Sequence, residues 1–200
     1  MRVRRRSYYP SPWNYLAGMS VAALLISLAT SGQAQEQKFK AVSVKTPDGL
    51  TISAQDWGNP NGPEILFIHG FSQSHLSSIK QVTNSDLAKE FHIVTYDLRG
   101  HGNSEIPKPT DDFSLSLLVS DALVLLDLVG ATNAHIVGNS AGGYVSQQLA
   151  IRYPERVKTL ALFGSTPGLK HSHAPTWIPK IKEIGLKQFL ADTIDERFDS

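Results

Sequence analysis

An α/β fold, in which a mostly parallel sheet is covered by helices on both faces, is predicted by three features of the chain. Besides the further apolar run Val157–Phe163, the runs Ile65–Ile68 and Ile93–Tyr96 are apolar without the polar alternation of a half-exposed strand. Strands of that kind are buried on both faces, as the central members of a parallel sheet are. Segments with apolar residues at three- and four-residue steps lie between them, and strands alternating with amphipathic helices define this architecture. Finally, His69, Asp97 and Ser140 each stand just past a strand-like run, and the carboxyl ends of parallel strands are where such sheets carry their functional loops.

The elements follow in order. Phe39–Val44 and Thr51–Trp57 alternate in polarity around Thr46-Pro47-Asp48-Gly49, which predicts a hairpin with a Pro-Asp-Gly turn. Gly58-Asn59-Pro60-Asn61-Gly62-Pro63 interrupts the chain before the buried strand at Ile65. One helix is expected over His75–Lys89, with Leu76, Ile79, Val82 and Leu87 toward one side, and the strand Ile93–Tyr96 comes next. Ser114 or Ser116 can open a second helix, in which Leu118, Ala122, Leu125 and Leu128 recur until Gly130. A strand over Asn133–Val137 leads to a helix-like run over Tyr144–Tyr153, with Val145, Leu149 and Arg152 on one face and Pro154 as its stop. Val157–Phe163 is the sixth strand. From Lys170 the register changes, and Ile181–Leu190 is amphipathic.

Composition narrows the function classes. A 41% hydrophobic, 18% charged chain of 200 residues suits one globular domain with a sizeable core. Nineteen basic against eighteen acidic residues leave a net charge of +1, which implies neither a nucleic-acid partner nor a broad membrane-binding face. The absence of cysteine excludes disulfides, thiolate metal sites, a cysteine nucleophile and a lipobox anchor. Arg2, Arg4, Arg5 and Arg6 precede an uncharged stretch with an apolar centre over Leu16–Ala29 and the small, polar run Thr30-Ser31-Gly32-Gln33-Ala34. That is the pattern of a signal peptide, cleaved after Ala34, so export to the periplasm or exterior is expected without a membrane anchor thereafter. The competing reading, an uncleaved anchor, needs a longer apolar span than one diluted by Gly18, Ser20 and Ser27.

Ser140 lies in Gly138-Asn139-Ser140-Ala141-Gly142-Gly143, between the fifth strand and the following helix. G-x-S-x-G alone matches many ordinary glycine-rich loops, but a strand before and a helix after it make a nucleophile elbow. The glycines two residues either side of the serine have a steric reason, because a strained turn there brings strand and helix close together. With Ile65-Leu66-Phe67-Ile68-His69-Gly70-Phe71 and Asp97-Leu98-Arg99-Gly100-His101-Gly102-Asn103-Ser104 standing upstream in order, the chain from about Phe39 to about Leu169 resembles the α/β-hydrolase superfamily. The resemblance implies a serine hydrolase in which Ser140 is the nucleophile and the N–H groups of Phe71 and Ala141 form an oxyanion hole, supported by His69, Gly70, Gly138 and Gly142. It also implies a helical cap inserted after the sixth strand, here similar to that of enol-lactone hydrolases and haloperoxidase-like enzymes. The expected organisation is therefore a signal peptide over 1–34, an α/β-hydrolase core over 35–169 and the beginning of a cap over 170–200.

The substrate implied is a small carboxylic ester or lactone, with no metal or organic cofactor. Peptidases, carbon–carbon bond hydrolases and cofactor-free haloperoxidases share the same motifs, and a non-catalytic binding protein can use the same scaffold. Epoxide hydrolases and dehalogenases of the family carry an aspartate where this chain has Ser140. In the family order the triad acid and histidine follow the serine. His171 and His173 lie in the cap region, as do Asp192, Asp195 and Asp199, and their spacing is not that of metal ligands. Asp97 and Arg99 resemble the family's structural turn, and Asp127 reads as a helix-surface charge. No residue of the chain is assigned as triad acid or histidine. The expectation is that both lie beyond Ser200, or that the chain is a product without efficient catalysis, with Val157–Phe163 left as an unpaired edge. Oligomeric state is not written in the sequence.

Overall fold

The structure, a computed structural model, describes residues 39–83, 86–108, 114–167, 179–180, 182–184 and 188. Contacts divide the chain into two units, Met1–Lys38 and Phe39–Ser200, and the described residues belong to the second. The signal peptide expected over 1–34 lies outside the described residues, as does nearly all of the cap region expected over 170–200. No helix among the described residues is long and apolar enough to cross a membrane.

Among the described residues six strands form one sheet: β1 (Phe39–Lys45), β2 (Thr51–Gly58), β3 (Glu64–Ile68), β4 (His92–Tyr96), β5 (Ala134–Asn139) and β6 (Val157–Phe163). Their spatial order is β1-β2-β4-β3-β5-β6. The hairpin and β4 pair antiparallel through β2. β4, β3, β5 and β6 are parallel to one another. The α/β class with a mostly parallel sheet is thus the observed one. At the hairpin turn Thr46 closes the loop, its hydroxyl accepting from the Leu50 N–H at 2.9 Å while Gly49 takes a φ of 88°. Order along the chain reverses at β3, because β4 lies on one side of it and β5 on the other. A sheet of this kind opens a crevice at the carboxyl ends flanking such a reversal.

Alternate residues of the central strands feed two cores. Ile52, Ala54, Leu66, Ile68, Val94, Tyr96 and Ile136 pack on one face against Val119, Ala122, Leu125, Val145 and Leu149. Those partners come from α3 (Leu115–Leu128) and α4 (Ala141–Arg152). The other core gathers Trp57, Ile65, Phe67, Val82 and Ile93, with Ile79 and Leu87 against it. Here the segment expected to be one helix is three pieces: a 3-10 turn over His75–Ser78, α1 (Ile79–Thr83) and α2 (Leu87–Glu90). The apolar face was real, since Ile79, Val82 and Leu87 all pack inward, but Leu76 is exposed because the first turn serves the loop instead. In α3, Ser114 is the N-cap, its hydroxyl accepting from the Leu117 N–H at 3.3 Å. The buried face is centred on Val119, Ala122, Leu125 and Leu126, with Leu128 exposed, so it is rotated from the one expected. A helix that is apolar over most of its length offers several stripes, and the sheet selects one of them.

Arg99 holds three of these parts together. Its Nε and Nη2 donate to the two oxygens of Asp121 at 2.7 Å each, and its Nη1 donates to Asp48 at 2.8 Å. Arg99 and Asp121 are wholly buried, so the hairpin turn, the loop after β4 and α3 are tied by charge-assisted bonds inside the protein. Hydrogen bonds from Arg99 and Thr46 lower the Asp48 carboxyl to about 2.

Candidate active site

Ser140 is where β5 gives way to α4. Its backbone lies at φ 50° and ψ −116°, a region costly to any residue with a Cβ, and the side chain is exposed. The surroundings fix that conformation. The Ser140 N–H donates to the Phe163 carbonyl at 2.8 Å, and its own carbonyl accepts from the Gly143 N–H at 2.9 Å and the Ser165 hydroxyl at 2.7 Å. Strain held by bonds on both sides of one peptide is characteristic of sites where a side chain must be presented rather than packed.

The motif glycines act as expected, though one does so against a different partner. A Cβ on Gly138 would meet the Ser146 hydroxyl, the Gly142 carbonyl and Gly143 Cα, which is the close approach of strand and helix. On Gly142 it would instead meet the carbonyls of Ile68 and His69. Gly142 therefore lets α4 rest on the end of the neighbouring strand β3, bringing the loop after β3 against the elbow. Gly70 completes the contact, since its Cβ position lies 3.0 Å from Ser140 Cβ and 3.3 Å from the Asn139 carbonyl.

His69 and Gly70 set the course of that loop. His69 is buried, and its Nε2 accepts from the Leu98 N–H at 3.0 Å, so the proton resides on Nδ1, which donates to the Gly70 carbonyl at 2.7 Å. Burial lowers its pKa to about 4, keeping the ring neutral and the tautomer fixed near neutral pH. The Gly70 carbonyl also accepts from the Gln73 N–H at 3.2 Å. In a planar trans peptide the carbonyl and the next N–H point oppositely, so holding the Gly70 carbonyl aims the Phe71 N–H away from the His69 ring. Phe71 itself is exposed, with its ring centroid 6.1 Å from that of His101 in an edge-to-face arrangement. Ala141 is the first residue of α4, and N–H groups of a first helical turn have no carbonyl one turn earlier in the helix. Ser140, Phe71 and Ala141 thus belong to two abutting segments at the carboxyl ends of β3 and β5, where the strand order reverses.

Asp97 carries the structural role implied for it. Its side chain is fully buried and accepts from the His75 N–H at 2.7 Å, from His75 Nδ1 at 2.9 Å and from the Asn103 N–H at 2.9 Å. Burial alone would raise this carboxyl, yet the bonds from Asn103 and His75 outweigh it and hold the group below its ordinary value. A Cβ on Gly102 would run into that carboxylate, which explains the glycine there. Asp127, read as a surface charge, pairs with Arg156 at 2.7 Å while remaining mostly exposed. His171, His173, Asp192, Asp195 and Asp199 lie outside the described residues. Among the described residues no group of three His, Cys, Asp or Glu side chains is placed to hold a metal ion.

Three side chains at the site were not singled out by the sequence. Gln73 Oε1 accepts from the Gly70 N–H at 2.8 Å and from Asn139 Nδ2 at 3.0 Å. Ser165 braces the serine peptide from beyond β6. Asn139, immediately before Ser140, was visible in the motif, but its partner lies 66 residues away.

Sheet order, elbow and loop together define an α/β hydrolase. The chain belongs to the alpha/beta hydrolase fold family, whose sequence pattern matches residues 63–190. It is similar to the Mycobacterium tuberculosis protein named "Probable oxidoreductase EphD", with 32% identity over 136 residues, covering 68% of this chain and 22% of that one. Mouse epoxide hydrolase 3 is 28% identical over 136 residues, covering 66% of this chain and 36% of the relative. Among solved structures, a hydrolase from Pseudomonas aeruginosa PA01 superposes with a TM-score of 0.65 at 28% identity, covering 76% of this chain and 53% of its own. The chain thus spans well under two thirds of the length of the relatives it matches.

Proposed function

We propose that this protein is a serine hydrolase that cleaves small carboxylic esters or lactones through an acyl-enzyme on Ser140. The observation that carries the reading is the exposed serine held at φ 50° on a strand-to-helix turn, abutting the Gly70 loop. In the reaction, Ser140 Oγ attacks the carbonyl carbon as its proton passes to a base, and the carbonyl oxygen gains the negative charge. The N–H groups of Phe71 and Ala141 stabilise that oxygen, each such donor being worth about 10²–10³ in rate. Collapse of the tetrahedral species expels the alcohol, which takes up the proton, and water then releases the acid. The base and the acid that orients it are assigned to no residue of this chain. An aspartate nucleophile, as the resemblance implies for epoxide hydrolases, is not available at position 140.

The leader over 1–34 supports export of the enzyme, with a small-molecule substrate and no nucleic-acid partner. A fluorophosphonate probe tests the nucleophile directly, since it reacts with an activated serine hydroxyl. Labelling should map to Ser140 and vanish in Ser140→Ala; a label on another residue, or one that survives the substitution, would refute the reading.

A further inference from the structure

We infer that Gln73 is a positioning residue for the oxyanion-forming loop, an inference that rests on the acyl-transfer reading above. Its Oε1 bridges the Gly70 N–H at 2.8 Å and Asn139 Nδ2 at 3.0 Å. One bond fixes the loop after β3, and the other fixes the residue that precedes Ser140. Its backbone N–H meanwhile donates to the Gly70 carbonyl at 3.2 Å, so Gln73 grips Gly70 from both ends. The Gly70 carbonyl, which shares its peptide plane with the Phe71 N–H, is held by the Gln73 N–H and by His69 Nδ1. The side-chain bond to the Gly70 N–H fixes the preceding peptide plane, so both planes that meet at Gly70 are restrained and the Phe71 N–H keeps its direction.

The space for this bridge is specific. Gln73 Oε1 and Ser140 Cβ lie 2.9 Å and 3.0 Å from where a Cβ on Gly70 would stand, so the amide oxygen and the nucleophile flank the same glycine. The adjoining Ser72 sits at φ 60°, a conformation unfavourable to serine, so the loop needs bonds of this kind to keep its course. His69 and Gln73 supply such bonds and the Ser72 N–H donates to His101 Nε2 at 3.4 Å, but it is the glutamine side chain that joins the loop to the serine-bearing strand, through Asn139.

The test compares the wild-type chain with Gln73→Leu, which keeps the bulk and removes the acceptor, and Gln73→Glu, which keeps an acceptor for both donors. Amide hydrogen exchange at Gly70, followed by NMR, reads the bridge without any substrate. Exchange should quicken in Gln73→Leu and stay near wild type in Gln73→Glu. In aryl-ester turnover Gln73→Leu should lower kcat by about 10²-fold at nearly unchanged KM, the size expected when a reacting geometry loosens by an ångström. Asn139→Leu should also lower kcat, and adding it to Gln73→Leu should cost little more, because both remove one bridge. Gly70 exchange that is indifferent to Gln73→Leu overturns the proposal, and so does quickened exchange with unchanged kcat. If wild type shows no turnover that depends on Ser140, the functional reading fails, while the exchange comparison judges the bridge by itself.

Discussion

His69 illustrates how one residue sets the pH range of the whole site. Its folded pKa of about 4 lies below its ordinary 6.5, so the unfolded chain takes up the proton first as the solution is acidified. Stability from this group is complete above pH 6.5, declines through the window down to 4 and changes no further below it. The shift corresponds to about 3 kcal/mol across that window. Asp97 and Asp48 have lowered carboxyl values, so their own losses begin at lower pH, while burial raises the Asp121 carboxyl, whose protonation favours the folded state as pH falls and so opposes the histidine's loss. Denaturant midpoints measured at pH 7 and pH 4.5 should therefore differ strongly in wild type and much less in His69→Gln, although the variant is less stable at pH 7. Equal slopes in the two proteins would show that another group governs the acid limb. The protonated ring would also present an Nε2–H to the Leu98 N–H that it now accepts from, so loop geometry and stability should fail together. The histidine of this motif was legible in the sequence because it sits at fixed spacing from Gly70 after an apolar strand. Its tautomer was not, since that depends on Leu98, which lies 29 residues away.

Among the elements, the strands were the readable part. As apolar or alternating runs they leave a mark in the residues themselves, and all six fall within a few positions of where the sequence places them. The segment after β3 was read less well because apolar spacing reports which side faces the core and not whether the backbone is continuous. His75 there gives its N–H and its imidazole to Asp97, and the helix proper begins only at Ile79. Arg99 was read as the holder of a loop, and the structure enlarges that part to three elements. Removing its charge should be severe: Arg99→Met leaves Asp121 buried without its bidentate partner, a change that costs about 3–5 kcal/mol. The double variant Arg99→Met with Asp121→Leu should regain at least half of that loss, because a buried pair is often replaceable by apolar side chains even when neither member can be lost alone. Equilibrium unfolding of the three proteins measures both quantities, and a double variant as unstable as the single one would assign the ion pair a positive role of its own.

At the scale of the whole molecule, the sheet formed by the described residues has two unequal borders. β1 is the outer strand of a hairpin whose Phe39 ring packs 4.7 Å from Trp57, whereas β6 borders the sheet with apolar side chains in solvent. Leu160, Leu162 and Phe163 on that strand are exposed, and so are Ile151 and Tyr153 at the end of α4 beside it. A border strand presents unpaired N–H and carbonyl groups, and an apolar one is a template on which another chain can add a strand. The sequence made this legible: seven residues with no proline, a single charge at Lys158 and a high content of apolar side chains meet the description of a segment that pairs with itself. For the 200-residue chain the expected outcome is concentration-dependent self-association, seen as a rising sedimentation coefficient or loss to the pellet between micromolar and higher concentrations. Charge placed on the strand should oppose it, so Leu160→Lys with Leu162→Lys should restore a monomer, while the same two substitutions leave the Ser140 turn in place because neither side chain enters the two cores. A wild-type chain that stays monomeric across that range would mean that the border is covered in solution, and protection of the Leu160 and Leu162 amides from hydrogen exchange would then locate the cover.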